Sequence, residues 1–347
     1  MTPTIIIFTI AAYFVFLMII AQLTKGKADN NAFFRGNKES KWYLVAFGMI
    51  GASLSGVTFL SVPGQVGASS FSYMQMVLGY LVGYTFIALV LIPMYYKLNL
   101  VSIYQYLETR FGTFSHRTGS AFFLLSRIVG SSFRLFLVAG VLHYFLFSHY
   151  NVPFILTTII TVVLIWIYTF QGGIKTIVIT DTLQTAFMIF ALIFAVVYIT
   201  KNMDLSFMSL WQSAGEAGYT KTFFWDNFSG SKMHFVKQFF SGALIAIVMT
   251  GLDQDMMQKN LTCKNEAEAQ KNIFSMSIML IPINFLFLCL GAFLFLFATQ
   301  TGLIIPDRPD YLFPEIALNH FPVYVGIIFL LGLIAAAYSS ADSALTA

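Results

Sequence analysis

Nine stretches of this sequence stay apolar long enough to cross a bilayer, at roughly residues 5–22, 43–67, 73–95, 119–147, 153–170, 174–200, 235–257, 273–299 and 321–347. A helix needs about 20 such residues to cross about 30 Å of hydrocarbon. In lipid every backbone polar group must be satisfied internally, so only helices and closed barrels can span. The ~10-residue alternating strands of a barrel are not present. The pattern therefore dictates an all-α membrane protein with about nine transmembrane helices. Composition agrees: hydrophobic residues make up 58% of the chain and charged ones 10%, against roughly 25% charged in a soluble domain. The two cysteines, Cys263 and Cys289, lack metal-ligand spacing and imply no disulfide framework.

Loop charges orient the bundle. Lys25, Lys27, Arg35, Lys38 and Lys41 follow the first stretch, Lys97, Arg110 and Arg117 the third, and Lys259, Lys264 and Lys271 the seventh. The positive-inside rule makes those loops cytoplasmic and puts the N-terminus outside. The modest net charge of +4 thus reflects topology and argues against a nucleic-acid partner. The first apolar run precedes Lys25 and Lys27, the reverse of a secretory signal, and reads as a spanning helix. The last run is still apolar at Ala347, so a C-terminally truncated chain is expected. Short surface helices are expected at 101–110 and 203–219.

Several residues stand out against this apolar background. The second stretch crowds small and hydroxyl residues from Gly48 to Gly64, including Gly51, Ser53, Ser55 and Thr58. Glycine raises the backbone cost of helix, and Ser and Thr bond freed carbonyls. A discontinuity is expected near Gly51–Ser55, with Pro63-Gly64 ending the regular stretch. Unwound backbone at membrane depth must line a cavity or be buried, and its loose carbonyls suit a bare cation. A tight helix contact through small residues is the open alternative. In the ninth stretch Ser339, Asp342 and Ser343 share one face, and Ala336 and Ser340 an adjoining one. A packing face of back-bonded serines is the alternative, but a carboxylate at membrane depth costs about 2.5–3.5 kcal/mol.

Asp181, one to two turns into the sixth stretch, is either a cation ligand or proton carrier, or a partly wet partner of Lys175. Arg127 and Arg134 share a face of the fourth stretch. Arg127 is expected to snorkel to the cytoplasmic surface. Arg134, near mid-span, wants a carboxylate, either from a substrate or from the protein. Nothing resembles a nucleophile–base pair, a phosphate loop or a metalloprotease helix, so an enzyme is not expected.

Four motifs in order then carry a resemblance: Tyr104–Gly112 with its Arg-Phe-Gly ending, Gln171-Gly-Gly together with Thr180-Asp-x-x-Gln184, Gln254 and Gln258 followed by Glu268-Ala-Gln270, and Ala336–Ser340. The chain resembles the sodium/solute symporter family along its whole length, and in site pattern its bacterial sialic acid transporters. The resemblance implies an inverted-repeat, five-plus-five helix fold. Residues 1–24 would be an extra helix, 25–200 the first repeat, and 201–347 three helices of the second. It implies a shared sodium site from carbonyls of Gly51, Leu54 and Ala336 and hydroxyls of Ser339 and Ser340. A second sodium site would use Asp181, Ser339, Asp342 and Ser343; Asp342 replaces a serine of the sialic acid members. Ser53, Ser55, Thr58, Arg134 and Gln75 would hold the substrate. The implied function is symport of Na+ with a small polar, carboxylate-bearing solute into a bacterial cell, by a monomer in the plasma membrane. A sugar or amino-acid symporter, or a symporter-like sensor domain, are the alternatives.

Overall fold

The computed structural model describes residues 3–24, 38–169 and 174–346, with side chains described except at residues 3, 168, 169, 175 and 340–346. Each apolar stretch has its helix among the described residues. In chain order these are α1 (Pro3–Thr24), α2 (Trp42–Ser53), α3 (Gly56–Ser69), α4 (Tyr73–Lys97), α5 (Ile103–Phe111), α6 (Thr113–Phe145), α7 (Phe154–Thr169) and α8 (Ile174–Asn202). They continue with α9 (Phe207–Glu216), α10 (Phe235–Gly251), α11 (Gln254–Asn260), α12 (Glu266–Thr301), α13 (Leu312–Glu315) and α14 (Val323–Thr346). Helices α1, α4, α6, α8 and α12 are each long and apolar enough to cross a membrane. The pairs α2/α3 and α10/α11 do so as bent spans, and α7 and α14 are shorter apolar helices.

The two surface helices lie where expected. Ser102 Oγ accepts from Gln105 N–H at 3.2 Å to start α5, and Ser206 Oγ accepts from Ser209 N–H at 3.1 Å to start α9. Such caps satisfy donors that a helix start leaves open. Most of α6 faces outward, with Phe114, Phe122, Ile128 and Phe133 exposed. Lipid is the solvent that tolerates such a face.

The second span breaks as expected. The axes of α2 and α3 meet at 57°, with Leu54 and Ser55 between them. The expectation that Pro63-Gly64 would end the regular stretch is corrected, because α3 runs through Pro63 to Ser69. The pair is a packing point instead. A Cβ at Gly64 would strike the Pro309 carbonyl, and one at Gly291 in α12 would meet the Pro63 carbonyl.

A second correction concerns 235–257, expected as one continuous span. It breaks by 71° between α10 and α11. A π-helical turn, Ile247–Gly251, precedes the break. Asp253 then caps α11, its Oδ1 accepting from Asp255 N–H at 3.0 Å and Met256 N–H at 3.4 Å. Helix α10 presses backbone to backbone against α4: Cβ atoms at Gly79, Gly83 and Gly242 would strike the carbonyls of Phe239, Ala243 and Met76. Small residues that admit such approach replace the hydrophobic drive that lipid does not supply.

Candidate functional site

The first break is built by close packing. Gly48 and Gly51 lay α2 onto α8: a Cβ at Gly48 would sit 3.1 Å from Asp181 Cβ, and one at Gly51 would strike Thr185 Oγ1. Thr185 Oγ1 donates to Asp181 O at 2.7 Å and reaches Gly48 O at 3.4 Å. The α2 ladder closes with Leu54 N–H donating to Ile50 O at 2.8 Å, and the α3 ladder opens at Ser55 O, which accepts from Phe59 N–H at 3.2 Å. Between them, the carbonyls of residues 51–54 receive no backbone donor among the described residues. The start of α3 abuts α14, where a Cβ at Gly56 would lie 3.5 Å from the Ala337 backbone. These four carbonyls, with no backbone donor among the described residues, stand beside the Ala336–Ser339 segment and offer the oxygen chemistry that a hard cation takes.

Beneath this place runs a buried ionic chain. Ser339 Oγ donates to Asp181 Oδ1 at 2.8 Å. Lys259 Nζ pairs with Asp181 Oδ2 at 2.7 Å and with Asp255 Oδ1 at 3.8 Å. Arg127 pairs with Asp253, and its NH1 with Asp255 Oδ2 at 3.4 Å. Asp181 is 0% exposed and Lys259 1%, so each charge depends on its partner, because an unpaired buried ion costs several kcal/mol. The chain ties α6, α8, α11 and α14 together.

A cavity of about 130 Å³ lies alongside, lined among others by Ser53, Leu54, Tyr84, Arg127, Arg134 and Thr250. Arg134 makes no ion pair among the described residues and is only half-buried, so its guanidinium is available to the cavity. The hydroxyls of Ser53 and Tyr84 are 3.4 Å apart. A second cavity, of about 350 Å³, is lined among others by Thr58, Ser61, Gln65 and Tyr73. Tyr73 lines both cavities and bonds Tyr80 through their hydroxyls at 3.1 Å.

The structure thus brings Gly51, Leu54, Ala336, Ser339 and Asp181 into one neighbourhood. The side chains of Ser340, Asp342 and Ser343 lie outside the described residues. Ser53 and Arg134 share a cavity, while Thr58 lines the other one. Ser55 is the buried N-cap residue of α3 and lines neither.

Gln75, expected as a substrate contact, is engaged by the protein itself. It is fully buried, donates to Ser72 O at 3.2 Å and Met233 O at 2.8 Å, and accepts from Phe224 N–H at 3.1 Å. It thereby pins the 219–234 loop, with both amide hydrogens spent and one oxygen lone pair left over. Three charges also depart from expectation. Asp181 is fully buried rather than partly wet, and its described partner is Lys259. Arg127 turns inward to two carboxylates rather than snorkelling. Lys259 is no loop lysine but belongs to α11.

Sequence reasoning missed Tyr73, Tyr80 and Tyr84, whose spacing of seven and four residues could have marked one helix face. It also missed Gln184 as a site neighbour. That side chain is 0% exposed, one turn from Asp181, and neither its nitrogen nor its oxygen has a hydrogen-bond partner among the described residues.

Two broken helices around carbonyl oxygens, with an arginine beside them that makes no ion pair among the described residues, fit the pattern of transporter folds built on discontinuous helices. The chain belongs to the sodium:solute symporter family, whose pattern matches residues 33–347, and that family is one of transporters rather than enzymes. It is 26% identical over 334 residues to the sodium/sialic acid symporter NanT of Aliivibrio fischeri, covering 92% of this chain and 63% of that protein. It is 22% identical over 344 residues to the sodium/sialic acid symporter SiaT of Proteus mirabilis, covering 95% and 66%. The chain therefore spans under two thirds of the length of these relatives. Its fold is that of a solved Na+-coupled sialic acid symporter in a substrate-bound outward-open state, with a TM-score of 0.88, 20% identity, and coverage of 98% of this chain and 72% of the other. The architecture is accordingly the inverted-repeat transporter fold.

Proposed function

We propose that this chain forms the transport core of a sodium-coupled symporter that carries a small, polar, carboxylate-bearing solute into a bacterial cell by alternating access. The observation that carries the reading is the meeting of the first break, whose carbonyls have no backbone donor among the described residues, with α14 at Ala336–Ser339, beside a cavity lined by Arg134, which makes no ion pair among the described residues. One sodium is held by the carbonyls of Gly51, Leu54 and Ala336 and the hydroxyls of Ser339 and Ser340. A second cation place would involve Asp181, Ser339, Asp342 and Ser343. Arg134 takes the solute's carboxylate through paired hydrogen bonds, and Ser53 takes a hydroxyl. The relatives that transport sialic acid favour a sialic acid-like substrate, with a monocarboxylate as the simpler choice.

In this reading sodium fills the first break, joins it to α14, and stabilises the state that accepts substrate. It must favour that state, since a ligand with equal affinity for both states shifts nothing. Each sodium adds about 2.3 kcal/mol per 100 mV of membrane potential. Residues 1–24 form an extra helix, 25–200 the first repeat and 201–347 part of the second. The occurrence of one break in the opening span of each segment favours this division. The protein works as a monomer in the plasma membrane with its N-terminus outside.

The test is radiolabelled uptake by the full-length protein in proteoliposomes, screening sialic acids, monocarboxylates, sugars and amino acids with and without an inward sodium gradient at fixed pH. A carboxylated solute should accumulate only with sodium. Arg134→Gln should cut that uptake at least about tenfold, since losing a paired charged contact costs 2–5 kcal/mol. Sodium-independent uptake, or a neutral substrate indifferent to Arg134→Gln, contradicts the reading.

A further inference from the structure

We propose that Lys259 is a tethered cation that takes the place of a second sodium at Asp181, so that this transporter couples one sodium per substrate rather than two. The inference deepens the sodium-symport reading and rests on it.

The geometry is specific. Asp181 Oδ1 receives the Ser339 hydroxyl at 2.8 Å, and Oδ2 holds the Lys259 ammonium at 2.7 Å. Both oxygens that a second sodium would need are therefore engaged, one of them by a cation supplied by the protein itself. Lysine suits the role, being a compact point charge on a flexible stem. At 1% exposure it has no bulk water to exchange with.

Position adds a consequence. Lys259 belongs to α11, the shorter half of the second broken span, whose residues 254–260 are all buried. Ser339 belongs to the proposed sodium site and donates to the carboxylate that Lys259 holds. The state of the sodium site thus reaches α11 through two contacts, Ser339 to Asp181 and Asp181 to Lys259. A second sodium at Asp181 would have to displace Lys259 and free that end of α11.

A merely structural ion pair makes a different prediction from a cation substitute, and Lys259→Met separates them. Sodium activation of uptake is measured in proteoliposomes for the full-length wild type, Lys259→Met, Lys259→Arg and the double variant Asp181→Asn/Lys259→Met. The Hill coefficient, which cannot exceed the number of coupled sites, should be about 1 in the wild type and in Lys259→Arg, and should rise toward about 2 in Lys259→Met. It should return to about 1 in the double variant, which has neither cation nor carboxylate. A wild-type coefficient near 2, or a Lys259→Met protein that transports with unchanged sodium order, overturns the proposal.

Lys259→Met leaves a buried carboxylate and can fail to fold without sodium, so melting temperature against sodium concentration, at constant ionic strength with choline, is the second readout. A ligand bound only by the folded state stabilises it by mass action. Lys259→Met should gain melting temperature with sodium more steeply than the wild type, and the double variant should not. Equal slopes overturn the proposal. Loss of all sodium dependence in the wild type would instead defeat the symport reading itself.

Discussion

The two broken spans face the same problem, interrupted helix inside a membrane, and solve it with opposite chemistry. The first break, at Leu54–Ser55, has no charge of its own. Its carbonyls stay open because Gly48 and Gly51 seat α2 tightly on Asp181 and Thr185 of α8. The second break, at Leu252–Asp253, is filled with charge: Asp253 caps the new helix, and Arg127 and Lys259 neutralise Asp253, Asp255 and Asp181. Irregular backbone in lipid must find partners or line a cavity. The first break leaves carbonyl oxygens without described backbone donors, while the second is sealed by residues of the chain. The difference is what the proposed function builds on: ion binding at one break and conformational locking at the other.

That contrast can be broken most forcefully at Arg127. Arg127→Ala strands Asp253 and Asp255 without their guanidinium and should cost about 3–5 kcal/mol, a large part of a total stability of about 5–15 kcal/mol. Thermal melting of the purified protein should show a large drop in melting temperature. Wild-type stability in Arg127→Ala would mean that charge does not hold the second break.

The first break should instead be sensitive to volume. Gly51→Ala drives a methyl group against Thr185 and should cost about 1–3 kcal/mol by overpacking. Thr185→Ala in the same chain should recover part of that loss, and a double-mutant cycle measures the coupling. Additive losses would show that the two residues do not share the contact on which the geometry depends.

The contrast also explains what the sequence disclosed. The first break was legible because Gly51, Ser53, Ser55 and Gly56 each weaken a helix locally. The second lay hidden in Ile245-Ala-Ile-Val-Met-Thr, an apolar run with no local breaker before Gly251. Its signal was Asp253, a capping residue set where a span should have continued. Lys259 was misread as a loop charge because linear position does not reveal that α11 folds inward. Gln75 looked like a ligand group because an amide in a membrane invites that reading, and only the fold shows both its amide hydrogens spent on Ser72 and Met233 and its oxygen accepting from Phe224. Pro63 was over-weighted as a terminator: a proline forfeits one helix donor, and here the contacts of its neighbourhood with Gly291 and the Pro309 turn hold α3 together.

The claim that the first break and α14 jointly hold sodium is tested most directly by equilibrium binding of radioactive sodium to the purified full-length protein, wild type against Ser339→Ala, with melting temperature as the check on folding. Saturable binding should weaken by about tenfold or more in Ser339→Ala, the loss of roughly 1.4 kcal/mol expected when one oxygen leaves a cation's shell. Unchanged sodium affinity in a folded Ser339→Ala protein would contradict the account.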